Sequence, residues 1–408
     1  MSRAESRALT ALNLLGASSW TAILEGWVGM RFRSIEYGFA VAALVVAACG
    51  AASPPQPLFE VGVVARSDPQ QFVMNAYPVV ARLASGRLLC IFSVETLAKP
   101  AKMNIAASTS DDGGKAWSQP TIVFDHPNAE DADPNLLVDG DRVLAFSTTV
   151  PEPVRIDYSM IYMRESKDGV HWGEEVLLKT PHRYIAGKIH QGHRLADGAL
   201  VIGYAWDTWA EQRMPPATEG EMDIKSGVLR STDGGKNWTA GGDMYSQIPK
   251  TSPHAVMGLD EPATVVLADG RLMALLRTSG TNLLQSWSSD GGLNWKTPSA
   301  STLTAHNSPA ALWKLDGSQD VLVAWDNLPT ARTALAAALS ADGGVTWSKP
   351  KVIVDTHGSQ EVSYPSAGQA KDGTMIVVWQ QQLAQGGREI RIARFNRAWL
   401  LGESEGTD

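Results

Sequence analysis

The chain has little cysteine, little charge and no basic run, and each scarcity excludes a class of protein. Two cysteines in 408 residues exclude a disulfide framework, and no Cys/His spacing resembles a zinc site. Lys and Arg total 35 against 43 Asp and Glu, and the net charge of −8 argues against nucleic acid as a partner. Charged residues make up only 19% of the chain and hydrophobic residues 44%, which favours a folded core over disorder.

An apolar run at 38–48 follows Arg31 and Arg33 and ends in small residues before Cys49. Such a run behind a basic flank is typical of a secretory signal, and it is too short to span a bilayer of about 30 Å. The tetrapeptide at 46–49 also fits a bacterial lipobox, in which Cys49 is lipidated after cleavage; ordinary cleavage nearby is the alternative. We therefore expect export to the bacterial periplasm or cell envelope, with a lipid anchor at Cys49.

One short motif, Ser-x-Asp-x-Gly-x-x-Trp or a near variant, recurs five times. In such a motif Asp accepts backbone N–H groups, Gly takes the positive-φ position and Trp covers the turn, so each copy predicts a hairpin turn. Regular recurrence over the chain indicates a repeat architecture in which these Asp boxes shape the rim. The copies are Ser110–Trp117, Ser166–Trp172, Ser231–Trp238, Ser288–Trp295 and Ser340–Trp347.

A second repeat runs in phase with the Asp boxes: a polar tripeptide, a Pro, an apolar run, a turn and another apolar run. Together with the Asp-box hairpin this predicts four strands per unit, and radial repetition of such sheets is a β-propeller. We therefore predict an all-β, six-bladed propeller of four-stranded antiparallel blades, five of which carry an Asp box. The openings fall at Pro78, Pro134, His190, Pro262, Pro309 and Pro365.

The last unit has no Asp box and is one strand short. Leu58–Val64, which precedes the first unit, is expected to pair with Arg391–Phe395 and to close the ring without a free edge. No linker interrupts the repeats, so they predict one domain. The predicted divisions are 1–49 for the extension and signal, 50–57 for a short linker, 58–402 for the propeller and 403–408 for the tail.

Polar side chains stand at the residue before each opening proline, where the innermost strands of a propeller approach the central axis. A ring of tyrosine, carboxylate and amide groups is not what a packed core needs, so we expect a shared functional pocket there. The residues at these positions are Tyr77, Asp133, Glu261, Ser308 and Tyr364, with Lys188, His190 and Asn307 beside them.

The stretch from Asp260 to Arg277 and the tetrapeptide Ser363–Ser366 resemble segments of the sialidase (neuraminidase) family. The stretch from Asp260 to Arg277 is similar to the fourth-blade signature, in which the Glu partners the nucleophile and the Arg binds the substrate carboxylate; these are Glu261 and Arg277. Ser363-Tyr364-Pro365-Ser366 resembles the last-blade motif that carries a tyrosine nucleophile, and Arg332 is similar to another carboxylate-binding Arg. With the repeats, the resemblance covers residues 55–402.

The resemblance implies an exo-α-sialidase-like glycoside hydrolase with a retaining mechanism. Sialic acid carries a carboxylate on its anomeric carbon, which would repel a carboxylate nucleophile; a neutral tyrosine deprotonated by Glu261 avoids this repulsion. Arg277 and Arg332 would bind the acid group, with Asp133, His190, Asn307 and Tyr77 as further substrate ligands. The expected partners are acidic glycans, bound by a monomer, and no metal or cofactor is expected.

The chain departs from the family pattern at two places. Ala76 stands where the family has the first carboxylate-binding Arg, and Glu95 lies where the family has an Asp acid/base. Glu95, Asp133 and His190 are therefore the candidates for the acid/base residue. Two further functions stay open: a glycosidase or polysaccharide lyase on another acidic sugar, and a glycan-binding propeller without catalysis.

The lyase alternative depends on His190 and His193 with Tyr204 nearby, because a His/Tyr pair can abstract the proton next to a uronate carboxylate.

Overall fold

The computed structural model describes residues 56–95, 102–153, 158–186, 190–211, 222–248 and 257–402. Cys49 with its upstream apolar run, Lys188 and the tail at 403–408 lie outside these residues. The export signal, the lipid anchor and the domain limits therefore stay predictions from the sequence.

Strands dominate the described residues, and after β1 (Phe59–Ala65) they pair into four-stranded antiparallel units in chain order. Unit 1 contains β2 (Met74–Arg82), β3 (Leu88–Glu95), β4 (Met103–Ser110) and β5 (Thr121–Phe124). Unit 2 contains β6 (Ala129–Asp139), β7 (Arg142–Pro151), β8 (Met160–Ser166) and β9 (Val176–Leu178). Unit 3 contains β10 (Ile185–Ala186), β11 (Gln191–Arg194), β12 (Leu200–Asp207), β13 (Asp223–Ser231), β14 (Thr239–Ala240) and β15 (Met257–Gly258), of which the two-residue β10 and β15 flank the four main strands.

The second half of the chain repeats the arrangement. Unit 4 contains β16 (Asp260–Val266), β17 (Leu272–Arg277), β18 (Asn282–Ser288) and β19 (Ser299–Thr304). Unit 5 contains β20 (Ala310–Lys314), β21 (Val321–Asp326), β22 (Ala334–Ser340) and β23 (Lys351–Asp355). Unit 6 contains β24 (Val362–Gln369), β25 (Met375–Gln382) and β26 (Arg388–Phe395). Two short helices, α1 (Thr208–Glu211) and α2 (Arg397–Leu401), complete the described elements, and neither is long enough to cross a membrane.

The first strand of the chain completes the last unit. β1 pairs antiparallel with β26, with Phe59 opposite Phe395 and Val63 opposite Arg391. The predicted pairing of the N-terminal strand with the C-terminal one is therefore confirmed. The pairing gives the backbone N–H and C=O groups on one side of β26 a partner within the same chain, so β26 is not a free edge.

Apolar side chains fill the spaces between successive units. Unit 4 and unit 5 share a cluster that includes Leu275 and Val323, and unit 5 and unit 6 share one that includes Leu335 and Trp379. Unit 6 packs against unit 1 in the same way, so the last unit contacts the first. Face-to-face packing of neighbouring sheets around an axis confirms the predicted all-β propeller.

The Asp boxes form the turns that the sequence predicts. In the first, Asp112 Oδ1 accepts N–H groups from Lys115 at 2.9 Å and from Ala116 at 3.0 Å. Gly114, at φ 88°, donates to Ser110 Oγ at 2.9 Å. These bonds satisfy the turn's backbone donors, and the boxes stand at the opposite strand ends from the predicted pocket.

Candidate functional site

The residue before the opening proline has the same unusual backbone in four units. Tyr77, Asp133, Glu261 and Tyr364 have φ of 53°, 45°, 42° and 53°, in the left-handed region that few non-glycine residues adopt. At each of them the register shifts, so that the residue and its proline oppose a single residue of the next strand. Such β-bulges re-aim side chains and tolerate proline, because the bulge needs no ladder N–H. A polar residue followed by Pro is thus the sequence signal of a repeated functional bulge.

The fifth unit shows the same feature one residue earlier than the sequence repeat predicts. Asn307, not Ser308, has the positive φ, at 42°. Its side-chain Oδ1 accepts a hydrogen bond from Arg277 Nε at 3.0 Å, whereas Ser308 is buried. Ser308 therefore does not take the expected position: β20 begins only at Ala310 and pairs with β21 without a register shift, so the positive-φ residue lies in the loop before the strand.

Tyr364, Arg277 and Glu261 form one buried cluster. Arg277 Nη1 lies 2.7 Å from Glu261 Oε2 in an ion pair and donates to Tyr364 Oη at 3.4 Å. Within the described residues no direct hydrogen bond joins Tyr364 to Glu261, and the guanidinium of Arg277 contacts both groups. The predicted proximity of the two residues is correct, but a third residue joins them.

Burial determines the protonation of this cluster. Desolvation, reinforced by the charge of Glu261, raises the pKa of Tyr364 far above its ordinary value, against the opposing effect of Arg277 and Arg332. Burial alone would lower the pKa of Arg277. Its pKa is nevertheless raised well above the ordinary value, because Glu261, Tyr364 and Asp260 lie beside it. The phenol is therefore neutral at physiological pH and faces a permanent cation.

Asp260, which sequence analysis did not single out, lies in the same cluster. Its Oδ2 is 4.0 Å from Arg277 Nη1, and its Oδ1 accepts the N–H of Glu261 at 2.8 Å. Desolvation, with the charge of Glu261 as a second cause, raises the pKa of Asp260 to about 7. Its position directly before Glu261 in an Asp-Glu-Pro tripeptide was the available signal.

Arg332 approaches Tyr364 from another side. Its guanidinium lies 5.4 Å from the centre of the Tyr364 ring, and its Nη2 donates to the backbone oxygen of Asn307. Its Nη1 is 3.9 Å from Glu361 Oε1, and Arg388 Nη2 is 3.8 Å from Glu361 Oε2. Glu361 and Arg388 follow no repeat and resemble no motif, so sequence reasoning had no signal for them.

Tyr77 joins the cluster through its ring. The rings of Tyr77 and Tyr364 meet edge to face with centroids 4.7 Å apart and planes at 78°. Burial, followed by the charge of Asp133, raises the pKa of Tyr77 to about 12, while Arg388 lowers it. The charge of Asp133 also reaches Asp260, so Asp133 belongs to the same site.

The three candidates for the acid/base residue differ in position. His190 is only 6% exposed, and desolvation lowers its pKa to about 4, while its ring bonds the backbone of Glu261. Glu95 ends β3, and its charge is felt by Glu130, but within the described residues no hydrogen bond or ion pair links it to Tyr364 or Glu261. Of the three, only Asp133 shares the positive-φ position before proline that Tyr364 and Glu261 occupy.

Within the described residues, His193 and Tyr204 of the lyase alternative each contact other residues, and no hydrogen bond or ring contact joins them. His193 Nε2 contacts the backbone oxygen of Thr264 at 2.8 Å, which ties unit 3 to unit 4. Tyr204 is fully buried and stacks with His182, with centroids 5.9 Å apart. Both contacts belong to the packing of unit 3, and the lyase alternative stays a hypothesis from the sequence.

The chain belongs to the BNR repeat-like domain family, whose model matches residues 86–377. No curated protein matches it in sequence. Of the described residues, no group of three or more His, Cys, Asp or Glu side chains is arranged to hold a metal ion.

Solved structures with the same fold include sialidases. A protein of unknown function from Dyadobacter fermentans gives a TM-score of 0.65 at 16% identity, covering 83% of this chain and 98% of that one. A leech intramolecular trans-sialidase complexed with 2,7-anhydro-Neu5Ac gives a TM-score of 0.66 at 14% identity. The alignment covers 89% of this chain and 73% of that one. Trypanosoma rangeli sialidase with the inhibitor DANA gives 0.61 at 14%, covering 82% of this chain but only 59% of that longer protein. These similarities show a sialidase-type fold.

Proposed function

We propose that this chain is an exo-α-sialidase-like glycosidase that cleaves acidic sugars by a retaining mechanism, with Tyr364 as nucleophile and Glu261 as base. The observation that supports this proposal is the buried Tyr364–Arg277–Glu261 cluster at the bulges of units 4 and 6. A tyrosine held beside a carboxylate and a cation is an unusual arrangement for a packed core, and it suits nucleophilic attack next to a negatively charged group.

In the first step Tyr364 Oη bonds to the anomeric carbon while the glycosidic C–O bond breaks. Glu261 takes the phenolic proton once its carboxylate moves from Arg277 Nη1 into hydrogen-bond reach of Tyr364 Oη, and protonated Asp133 supplies a proton to the leaving oxygen. Arg277 donates to Tyr364 Oη, so it stabilises the negative charge that develops there. In the second step water attacks the anomeric carbon, Asp133 takes its proton, and Tyr364 leaves with the proton from Glu261.

The test is turnover of a fluorogenic sialoside and of the matching glucuronide by Tyr364→Phe. Phe keeps the ring that packs against Tyr77 and Arg332 but removes the nucleophile, so activity should fall by at least about 10³-fold with the fold intact. Glu261→Gln should lower kcat with little change in KM. Tyr162→Phe is the matched control, because it removes a tyrosine hydroxyl that contacts Met160 Sδ in unit 2, away from the cluster, and should keep most activity. Full activity of Tyr364→Phe would refute the mechanism.

A glycan-binding propeller without turnover is the second candidate. Ala76 supports it, because this position in β2 offers a methyl group that is 5% exposed where the sialidase pattern has an Arg. Binding of an acidic sugar without release of product from either substrate would favour this candidate. Unsaturated product formed from a uronate polymer would instead indicate a lyase.

We also propose export to the bacterial envelope with lipid attachment at Cys49. The apolar run at 38–48 with its basic flank, and the lipobox-like residues that end at Cys49, support this proposal.

A further inference from the structure

The three arginines near Tyr364 differ in how many of their donors are already used. Arg277 is surrounded by protein partners: Asn307 Oδ1 at 3.0 Å, Glu261 Oε2 at 2.7 Å and Tyr364 Oη at 3.4 Å. Its side chain is 13% exposed. A guanidinium engaged in this way has little capacity left for a ligand, and losing these contacts would leave Glu261 buried without its counter-ion.

Arg388 shows the opposite situation. Its Nε is buried without a hydrogen-bond partner, and within the described residues no side-chain hydrogen bond of Arg388 to protein occurs. Its nearest carboxylate oxygen, Glu361 Oε2, is 3.8 Å away, beyond a normal hydrogen bond. A buried donor that makes no hydrogen bond costs free energy, so a guanidinium with unused donors is suited to bind an anion.

Glu361 stands between two guanidinium groups without bonding closely to either. Its carboxylate is 3.9 Å from Arg332 and 3.8 Å from Arg388, and it accepts a close hydrogen bond from Ser363 Oγ at 2.5 Å. An open depression of about 480 Å³ is lined by Arg332, Glu361 and Gln382. Gln382, which lines this depression, is the register partner of Arg388, so Arg388 lies on the strand next to a space that solvent can reach.

Arg388 also lies next to the strand in which unit 1 lacks a cation. It pairs in register with Met74 of β2, two residues before Ala76. Its charge lowers the pKa of Tyr77, so the guanidinium lies within electrostatic range of that phenol. A cation from unit 6 therefore occupies the neighbourhood of the small side chain at position 76.

We propose that Arg388 and Arg332 together bind the carboxylate of an acidic sugar, that Glu361 occupies their anion site until the ligand arrives, and that Arg277 instead positions Tyr364 and Glu261. This inference rests on the proposed function for the identity of the ligand class. It assigns a substrate-binding role to a residue of β26 that no repeat predicts. The planar guanidinium of arginine suits this role because it can present two parallel N–H groups to one carboxylate.

The experiment measures binding apart from turnover. Ligand-observed NMR titration compares N-acetylneuraminic acid and glucuronic acid with their methyl esters, which lack the negative charge. Arg388→Gln should weaken binding of the acid at least tenfold and leave the ester unchanged, and Arg388→Lys should restore part of the loss. Glu361→Gln should strengthen binding of the acid several-fold, because the resident anion that competes with it is removed.

Arg87→Gln is the matched control, because Arg87 pairs with Asp111 at the Asp-box end of the strands. It should leave all affinities unchanged, and the urea midpoint of each variant verifies folding. Equal losses for acid and ester, weaker binding by Glu361→Gln, or no binding of either acid to the wild type would overturn the proposal. If acid binding depends on Arg388 but no sugar is released, the proposed hydrolysis fails and this inference stands.

Discussion

Replacement of Asp260 by Asn isolates one buried charge at the site. Asp260 is 8% exposed, and its Oδ1 accepts the N–H of Glu261 at 2.8 Å, a bond that the Asn side-chain oxygen can keep. Burial raises the pKa of Asp260 from 3.8 to about 7, with the charge of Glu261 as the second cause and Arg277 in opposition. The variant thus removes the ionisation and little else.

The direction in which stability changes with pH follows from proton binding by the folded and unfolded states. Between the unfolded pKa and the folded one, the folded state holds a proton that the unfolded state has lost, so stability falls as pH rises. The contribution of Asp260 to the free energy of unfolding is full below its unfolded pKa of 3.8 and is lost as pH rises through its folded pKa of about 7. At about 1.4 kcal/mol per pKa unit the whole shift corresponds to about 4 kcal/mol. About 2.5 kcal/mol of it falls between about pH 5 and pH 8.

The assay is urea unfolding followed by tryptophan fluorescence at several pH values, for wild type and Asp260→Asn. The free energy of unfolding of the wild type, minus that of the variant, should fall by about 2.5 kcal/mol from about pH 5 to pH 8. Subtracting the variant from the wild type cancels the pH dependence that the other titratable groups contribute to both proteins. One of these is His190, whose lowered pKa makes stability rise with pH at acid pH.

Asp269→Asn is the control for this measurement. Asp269 is exposed in a turn of the same unit; desolvation alone would raise its pKa, but the hydrogen bonds from the side chain and backbone of Arg271, together with the Arg271 charge, lower it overall. Its carboxylate stays ionised throughout the interval, so the corresponding difference should not change with pH. An equally flat difference for Asp260→Asn would refute the reasoning that its ionised form is destabilised by burial.

Two other predictions concern packing and export. Gly344→Ala should destabilise the fold by about 1–3 kcal/mol more than Gly317→Ala in thermal unfolding. Both glycines have positive φ, but only at Gly344 would a Cβ lie 2.3 Å from buried Met273. Equal losses of stability in the two variants would contradict this clash. Cys49→Ala should abolish acylation and move the chain out of the membrane fraction, and unchanged fractionation would contradict the lipobox interpretation.

The sequence alone determined the features that repeat. Each Asp box contains its own hydrogen-bond partners within eight residues, so Ser110, Asp112 and Gly114 predict their turn without distant contacts. The polar residue before each proline is likewise a local signal, because only a bulge accommodates a proline in an inner strand. These two signals were sufficient to predict the propeller, its closing strand and the proximity of Tyr364 to Glu261.

Tertiary structure decided what each side chain of the site contacts. Nothing in the sequence indicates that Arg277 contacts both Tyr364 and Glu261, since that contact joins unit 4 to unit 6 across the axis. Arg388 and Glu361 have no local signal at all, because their meeting depends on how β26 begins beside the loop before β24. The sequence could place residues near the axis through local backbone geometry, but long-range charge pairing depends on side-chain distances that only the closed ring of sheets sets.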